Sequence, residues 1–187
     1  MSKVHAMSER VVDASPDTVY SVLADYKDKR PQILTENFLD YRVEKGGKGK
    51  GTQVSYRLQA AGRERSYRMN VEESVKGQWL MERDSNSSLV TTWLLSPVDD
   101  GQRTKVRVET EWEGSQGVGG FFERTFAPLG LHRIYDRMLD LLETVVTSQS
   151  RALVAQKQMA PSRLGRPLLF AGAAVALALG IRYLRKR

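Results

Sequence analysis

Polar and apolar residues alternate through the middle of the chain and change to a helical period near its end. Val106, Val108, Thr110 and Trp112 fall on one side of a two-residue repeat, with Lys105, Arg107, Glu109, Glu111 and Glu113 on the other. That is the pattern of a strand with one buried face. A weaker version sets Leu39, Tyr41 and Val43 against Asp40, Arg42 and Glu44, and Tyr67, Met69 and Val71 against Ser66, Arg68 and Asn70. Val54, Tyr56 and Leu58 predict another strand, and Trp79–Arg83 a shorter one. Leu89–Val98 is apolar on both faces, so its phase stays open; Pro97 and the Asp99-Asp100-Gly101 turn close it. After Gly114, Gly117, Gly119 and Gly120 the step becomes three and four. Leu131, Ile134, Met138, Leu141 and Val145 then form one stripe of a long helix, over about residues 128–158.

Upstream, Val4–Ala14 predicts a first strand, and Ser15-Pro16-Asp17 a helix start with Ser15 as N-cap. Val19, Tyr20, Val22 and Leu23 give that short helix, and Tyr26–Leu34 a second one broken by Pro31. The run from Gly46 to Gly51 lacks the spacing of a phosphate-cradling loop and reads as a hairpin turn. The order is one strand, two short helices, six strands and a long helix. Hairpin-length turns make the sheet antiparallel, and its bulky face curls it around the last helix: an α+β fold.

Charge changes this picture at one end only. The formal net charge is +7, from 29 Lys/Arg against 22 Asp/Glu. Eight of those 29 lie in residues 151–187, which hold no acid, so the first 150 residues carry 21 against 22, a net of −1. A neutral domain with a basic, partly apolar tail suits a lipid surface and argues against nucleic acid as a partner. Pro167–Ile181 is fifteen residues without a charge, between Arg166 and Arg182. Leu164–Leu184 would make about 31 Å of helix, close to a bilayer core of about 30 Å. The expected organisation is a domain over residues 1–147, a helix extension and basic linker over 148–166, and a transmembrane anchor over 167–184 that includes Leu168, Leu169, Val175 and Leu179. Gly172, Ala176 and Gly180 form a small-residue stripe suited to weak homodimerisation of that helix. No secretory signal opens the sequence, which favours a cytoplasmic domain. Cysteine is absent and only His5 and His132 are present, so no metal site or cofactor is expected.

Several local features carry a resemblance. They are the opening strand into Ala14-Ser15-Pro16-Asp17-Thr18-Val19-Tyr20, the Gly51-Thr52 strand start, Trp93 with Pro97 before a turn, and the glycine-rich run into a helix with Phe126, Leu129 and Leu141. Over about residues 4–147 the sequence resembles the START/polyketide-cyclase/birch-pollen-allergen-like (SRPBCC) superfamily. The resemblance implies a helix-grip fold, a curved antiparallel sheet around a long C-terminal helix, with an apolar cavity between them. Members hold lipids, sterols, polyketides or quinones there, and some cyclise polyketides.

The candidate cavity wall is Tyr56, Tyr67, Met69, Val108, Thr110 and Trp112 from the sheet, with Phe122, Phe126, Leu131 and Met138 facing them. The same periodicity fits a solid core; it is the resemblance that implies a void. Gly117, Gly119 and Gly120 are candidates for a flexible gate at its mouth. His132 is expected to face water; Glu73 is the one carboxylate in phase with the inner face, but near a strand end it is expected to reach solvent. No nucleophile–base pair is evident from spacing. The leading expectation is a non-enzymatic binding or transfer module for a hydrophobic small molecule, held at a membrane. The alternatives are an aromatase/cyclase-like enzyme acting on a polyketide-type substrate, and a ligand-free scaffold.

Overall fold

The computed structural model describes residues 3–60, 62–114 and 117–159, with side chains over 127–152 in the last segment. Strand β1 (Lys3–Val12) leads into helix α1 (Pro16–Leu23) and a 3-10 turn at Arg30–Ile33. Strands β2 (Phe38–Lys45), β3 (Gln53–Ala60), β4 (Arg63–Val75), β5 (Trp79–Asp84), β6 (Val90–Val98) and β7 (Arg103–Glu113) follow, then helix α2 (Gly117–Met159). All seven strands form one antiparallel sheet, in the order β1-β7-β6-β5-β4-β3-β2. This is the expected grip of a sheet on a C-terminal helix.

In β7 the expected phase holds, with Val106, Val108, Thr110 and Trp112 all buried. Pairing with β7 also fixes the open phase of β6. Thr91 lies opposite Thr110, Trp93 opposite Val108 and Leu95 opposite Val106. Directly opposed residues share a face, so Thr91, Trp93 and Leu95 turn inward.

Helix α2 begins at Gly117, earlier than the sequence pattern suggests, and takes in Gly119, Gly120 and Pro128. Its buried line runs through Leu131, Ile134, Tyr135, Met138, Leu139, Leu142 and Val146. Leu141 and Val145, expected on that line, are only half-buried. One residue along a helix is a turn of about 100°, so moving from Leu141 to Leu142 rotates the stripe toward β1 and α1.

A second short helix over Tyr26–Leu34 does not form. The Asp25 carboxylate accepts the Asp28 N–H at 2.9 Å and the Asp25 carbonyl accepts the Arg30 N–H at 2.7 Å. These bonds close a turn, and Pro31 supplies no N–H to extend it. Only the 3-10 turn Arg30–Ile33 remains, and it points Arg30 and Ile33 inward. Among the described residues no helix is long and apolar enough to cross a membrane. The linker beyond Met159, the anchor with Leu168, Leu169, Val175 and Leu179, and the small-residue stripe lie outside the described residues.

The β2–β3 loop is strapped to the end of α1. The Gly49 N–H reaches the Ala24 carbonyl at 2.8 Å, and the Gly47 carbonyl accepts the Tyr26 N–H at 2.9 Å. Glu73 completes the strap rather than facing inward, accepting from the Tyr20 hydroxyl and the Lys50 N–H, each at 2.9 Å. Gly49 has φ +55°, and a Cβ there would stand 2.2 Å from Glu73 Oε1. Gly49→Ala should therefore cost about 2 kcal/mol or more, by combining backbone strain with loss of the Glu73 bonds. Gly77 has φ +81° and open space around it. Gly77→Ala should cost only about 1 kcal/mol. Urea unfolding of the two variants checks the difference.

Candidate functional site

Between the concave face of the sheet and the first half of α2 lies a cavity of about 270 Å³. Of the candidate wall residues, Tyr56, Tyr67, Thr110 and Trp112 from the sheet and Leu131 and Met138 from α2 line it. Met69 and Val108 share the inner face but are not part of the lining. They are fully buried among neighbouring side chains, because strand phase fixes a face and not what packs opposite it. The side chains of Phe122 and Phe126 lie outside the described residues. Gly117, Gly119 and Gly120 are placed in the backbone of α2 and not in a connecting loop.

The part of the site that sequence reasoning missed is ionic. Arg30 from the 3-10 turn and Glu82 from β5 both line the cavity, with side chains only 4% and 8% exposed. Arg30 Nη2 donates to Glu82 Oε1 at 2.6 Å, and the Tyr26 hydroxyl donates to the same oxygen at 2.8 Å. The guanidinium carbon stands 4.3 Å from the centre of the Trp93 ring and 5.4 Å from that of Tyr26, within cation–π range. Burial works most strongly against the Arg30 charge, but the Glu82 carboxylate and the Tyr26, Tyr41 and Tyr56 phenols together outweigh it and hold the guanidinium pKa above its ordinary value. Tyr41 donates to the Tyr26 carbonyl at 2.8 Å and fixes the turn from the β2 side.

Around this pair the walls are aromatic and hydroxylated. Phe38 meets Tyr56 edge-on at 5.1 Å, and Tyr56 lies 5.8 Å from Tyr67. Thr91 and Thr110 hydroxyls are 2.7 Å apart, and Thr110 also bonds the Tyr135 hydroxyl. Tyr56 keeps some accessible surface although it is deeply enclosed, because that surface belongs to the cavity. Burial pushes the Tyr26 and Tyr56 phenols well above their ordinary range, the nearby Glu82 charge adding to it. Tyr135 rises to about 12, burial outweighing its bonds to Thr110 and Thr91. These phenols are neutral donors and acceptors at physiological pH. The Trp93 N–H has no partner among the described residues and is sealed from the cavity as well, so it is not a ligand contact.

Outside the cavity, Ser8, His132 and Asp136 imitate a nucleophile–base–orienter set. Ser8 Oγ is 2.6 Å from His132 Nδ1, and His132 Nε2 is 3.4 Å from Asp136. The same Nδ1 lies 3.0 Å from the Met7 carbonyl, which places the proton on Nδ1 and leaves no base facing the hydroxyl. Ser8 is also only 2% exposed. The trio ties α2 to β1 and is not a hydrolytic site. The His132 ring is exposed, as expected.

A curved sheet closed on a long helix over a chemically mixed cavity defines a helix-grip ligand-binding domain. The chain belongs to the family described as polyketide cyclase / dehydrase and lipid transport, which matches residues 3–147. This lies in the START/birch-pollen-allergen-like superfamily, as the sequence resemblance implies. The solved KanY protein is 40% identical, with a TM-score of 0.69, covering 79% of this chain and 99% of its own. A START superfamily protein from Mycobacterium smegmatis is 12% identical, with a TM-score of 0.60 over 78% of this chain and 98% of that one. A norcoclaurine synthase point mutant from Thalictrum, solved with a transition-state analogue, is 14% identical, with a TM-score of 0.62 over 80% and 97%. The last two likenesses are of fold alone. No protein of curated function matches.

Removing one partner of the buried pair leaves the other charge stranded. Arg30→Met should destabilise by about 3–5 kcal/mol, and Arg30→Met with Glu82→Leu should recover most of that loss. Urea unfolding of single and double variants checks the coupling. The phenols add a pH dependence. The folded-state values of Tyr20 and Tyr135 are about 12 against an ordinary 10.0, so the unfolded chain releases these protons first. Their contribution is complete below the unfolded value and should fall as pH rises through about 12, as followed by alkaline unfolding and tyrosinate absorbance.

Proposed function

We propose that this protein binds a hydrophobic small molecule in the cavity and transfers it, without chemical change, to and from a membrane that holds the domain by its C-terminal segment. The observation that carries the reading is the void itself. Protein interiors pack to crystal-like density. A partly enclosed space of about 270 Å³, walled by rings and hydroxyls, is therefore a feature of a binding site and not of a filled core. The family description, which pairs cyclase and lipid-transport roles, is compatible with it. The uncharged Pro167–Ile181 run, flanked by basic residues on both sides, supports the tether. With the first 150 residues near neutral, the domain has little attraction of its own to anionic lipid, so proximity must come from the tail.

A second reading is favoured by one observation. Glu82, Arg30 and Tyr26 converge on the cavity, as a cyclase acting on a polyketide-type substrate would require for proton transfer at a carbonyl. Binding stands first because Glu82 Oε1 already accepts from both partners. Turnover of a poly-β-ketone that Glu82→Gln abolishes would reverse this order.

Two measurements test the leading reading. Ala127 is a half-buried lining residue. Ala127→Trp should weaken binding of a neutral fluorescent apolar probe by at least about tenfold while leaving the circular dichroism unchanged, since a ring placed in the void competes with the ligand. A chain ending at Ala160 should bind the probe as the full chain does, fail to float with vesicles, and exchange probe with them at least about tenfold more slowly. Unaltered probe binding in the first experiment, or equal exchange in the second, would overturn the corresponding half of the proposal.

A further inference from the structure

The walls also say what kind of molecule the cavity accepts. An ionised ligand entering a dry interior loses its hydration and must find an opposite charge there. Arg30 is the one buried cation among the described residues of the lining, and it is not available. Its guanidinium is bonded to Glu82 at 2.6 Å, lies 3.4 Å from the Leu23 carbonyl, and has the Trp93 and Tyr26 rings packed against it. Glu82 in turn accepts the Tyr26 hydroxyl. The remaining charged residues of the lining, Arg63, Arg65 and Glu113, are exposed at the rim, where water screens them. The interior therefore carries no net charge. What it offers instead is phenol and threonine hydroxyls, which exchange hydrogen bonds with neutral oxygens.

We infer that the site selects small neutral ring compounds bearing a hydroxyl or carbonyl, and rejects carboxylates of the same shape. The inference rests on the reading of the cavity as a ligand site and narrows it. The ionic pair is then a selectivity device: by neutralising Arg30, Glu82 denies an anion the partner it would need.

Naphthol and naphthoate, nearly equal in shape and different in charge, test this by equilibrium dialysis at neutral pH. The full-length protein in nanodiscs is compared with empty discs as the blank. Naphthol should bind at least about tenfold more tightly than naphthoate, the scale set by an uncompensated buried charge. Equal affinities, or a preference for naphthoate, would overturn the inference while leaving the cavity as a binding site. If neither binds, the binding reading fails and this inference with it. Glu82→Gln uncovers Arg30 and should improve naphthoate binding relative to naphthol by at least about tenfold. An unchanged ratio in a folded Glu82→Gln protein also overturns the assignment. Should that variant not fold, the neutral pair Arg30→Gln with Glu82→Gln must keep the preference for naphthol, and loss of the preference there counts against the inference equally.

Discussion

The ion pair between Arg30 and Glu82 is the constraint on which the interior depends. It links residues separated by 52 positions, joining the turn after α1 to the fifth strand, and both charges lie below the protein surface. Such a pair adds little stability over well-packed apolar residues of the same volume, because desolvation consumes most of the attraction. What it supplies here is a fixed arrangement. Arg30 holds its place only if the Asp25 turn closes, if Tyr26 turns its hydroxyl toward Glu82, and if the Trp93 ring packs against the guanidinium. Three segments, the turn after α1, β5 and β6, are thereby committed to one geometry, and the wall of the cavity follows from it.

The long helix divides the inner space in two. Toward its C-terminal half, Leu139, Leu142 and Val146 are fully buried in the packed core. Toward its N-terminal half, Leu131, Tyr135 and Met138 face the cavity. Tyr135 makes the difference between the two halves. Aliphatic side chains close on one another, whereas Tyr135 meets Thr110 through a hydroxyl contact that holds helix and sheet at a set distance. The space left between them is bounded by groups that cannot collapse without breaking hydrogen bonds, which keeps it open.

Much of this was legible in the sequence. The two-residue phase of Val106, Val108, Thr110 and Trp112 names the inner face of β7, and Tyr56 and Tyr67 fall in phase with it across the sheet. The ionic floor was not legible, for two reasons. Asp28-Lys29-Arg30-Pro31 reads as a solvated loop, because charged residues are rarely buried and their partner is remote in sequence. Glu82 did leave a trace, since it alternates in phase with the buried Leu80, but five or six residues of mixed polarity fit either phase. Met69 and Val108 show a second limit, because an inward side chain meets a void or a neighbour according to the opposite wall alone. The rotation of the α2 stripe from Leu141 to Leu142 is a third, set by where β1 and α1 lie.

The sheet is open, with β1 and β2 at its margins. Side chains of β1 reach the flank of α2, where Ser8 meets His132 and Arg10 pairs with Asp140. The β2 margin has a different device. Its pairing with β3 slips between Leu39 and Arg42 and again between Val43 and Lys45, and Asp40 sits at φ 53°. A strand bent twice presents no straight row of free amides on which a second molecule could lay its own strand. Backbone irregularity thus disfavours strand addition at this margin while leaving the apolar side chains of β2 free to face inward.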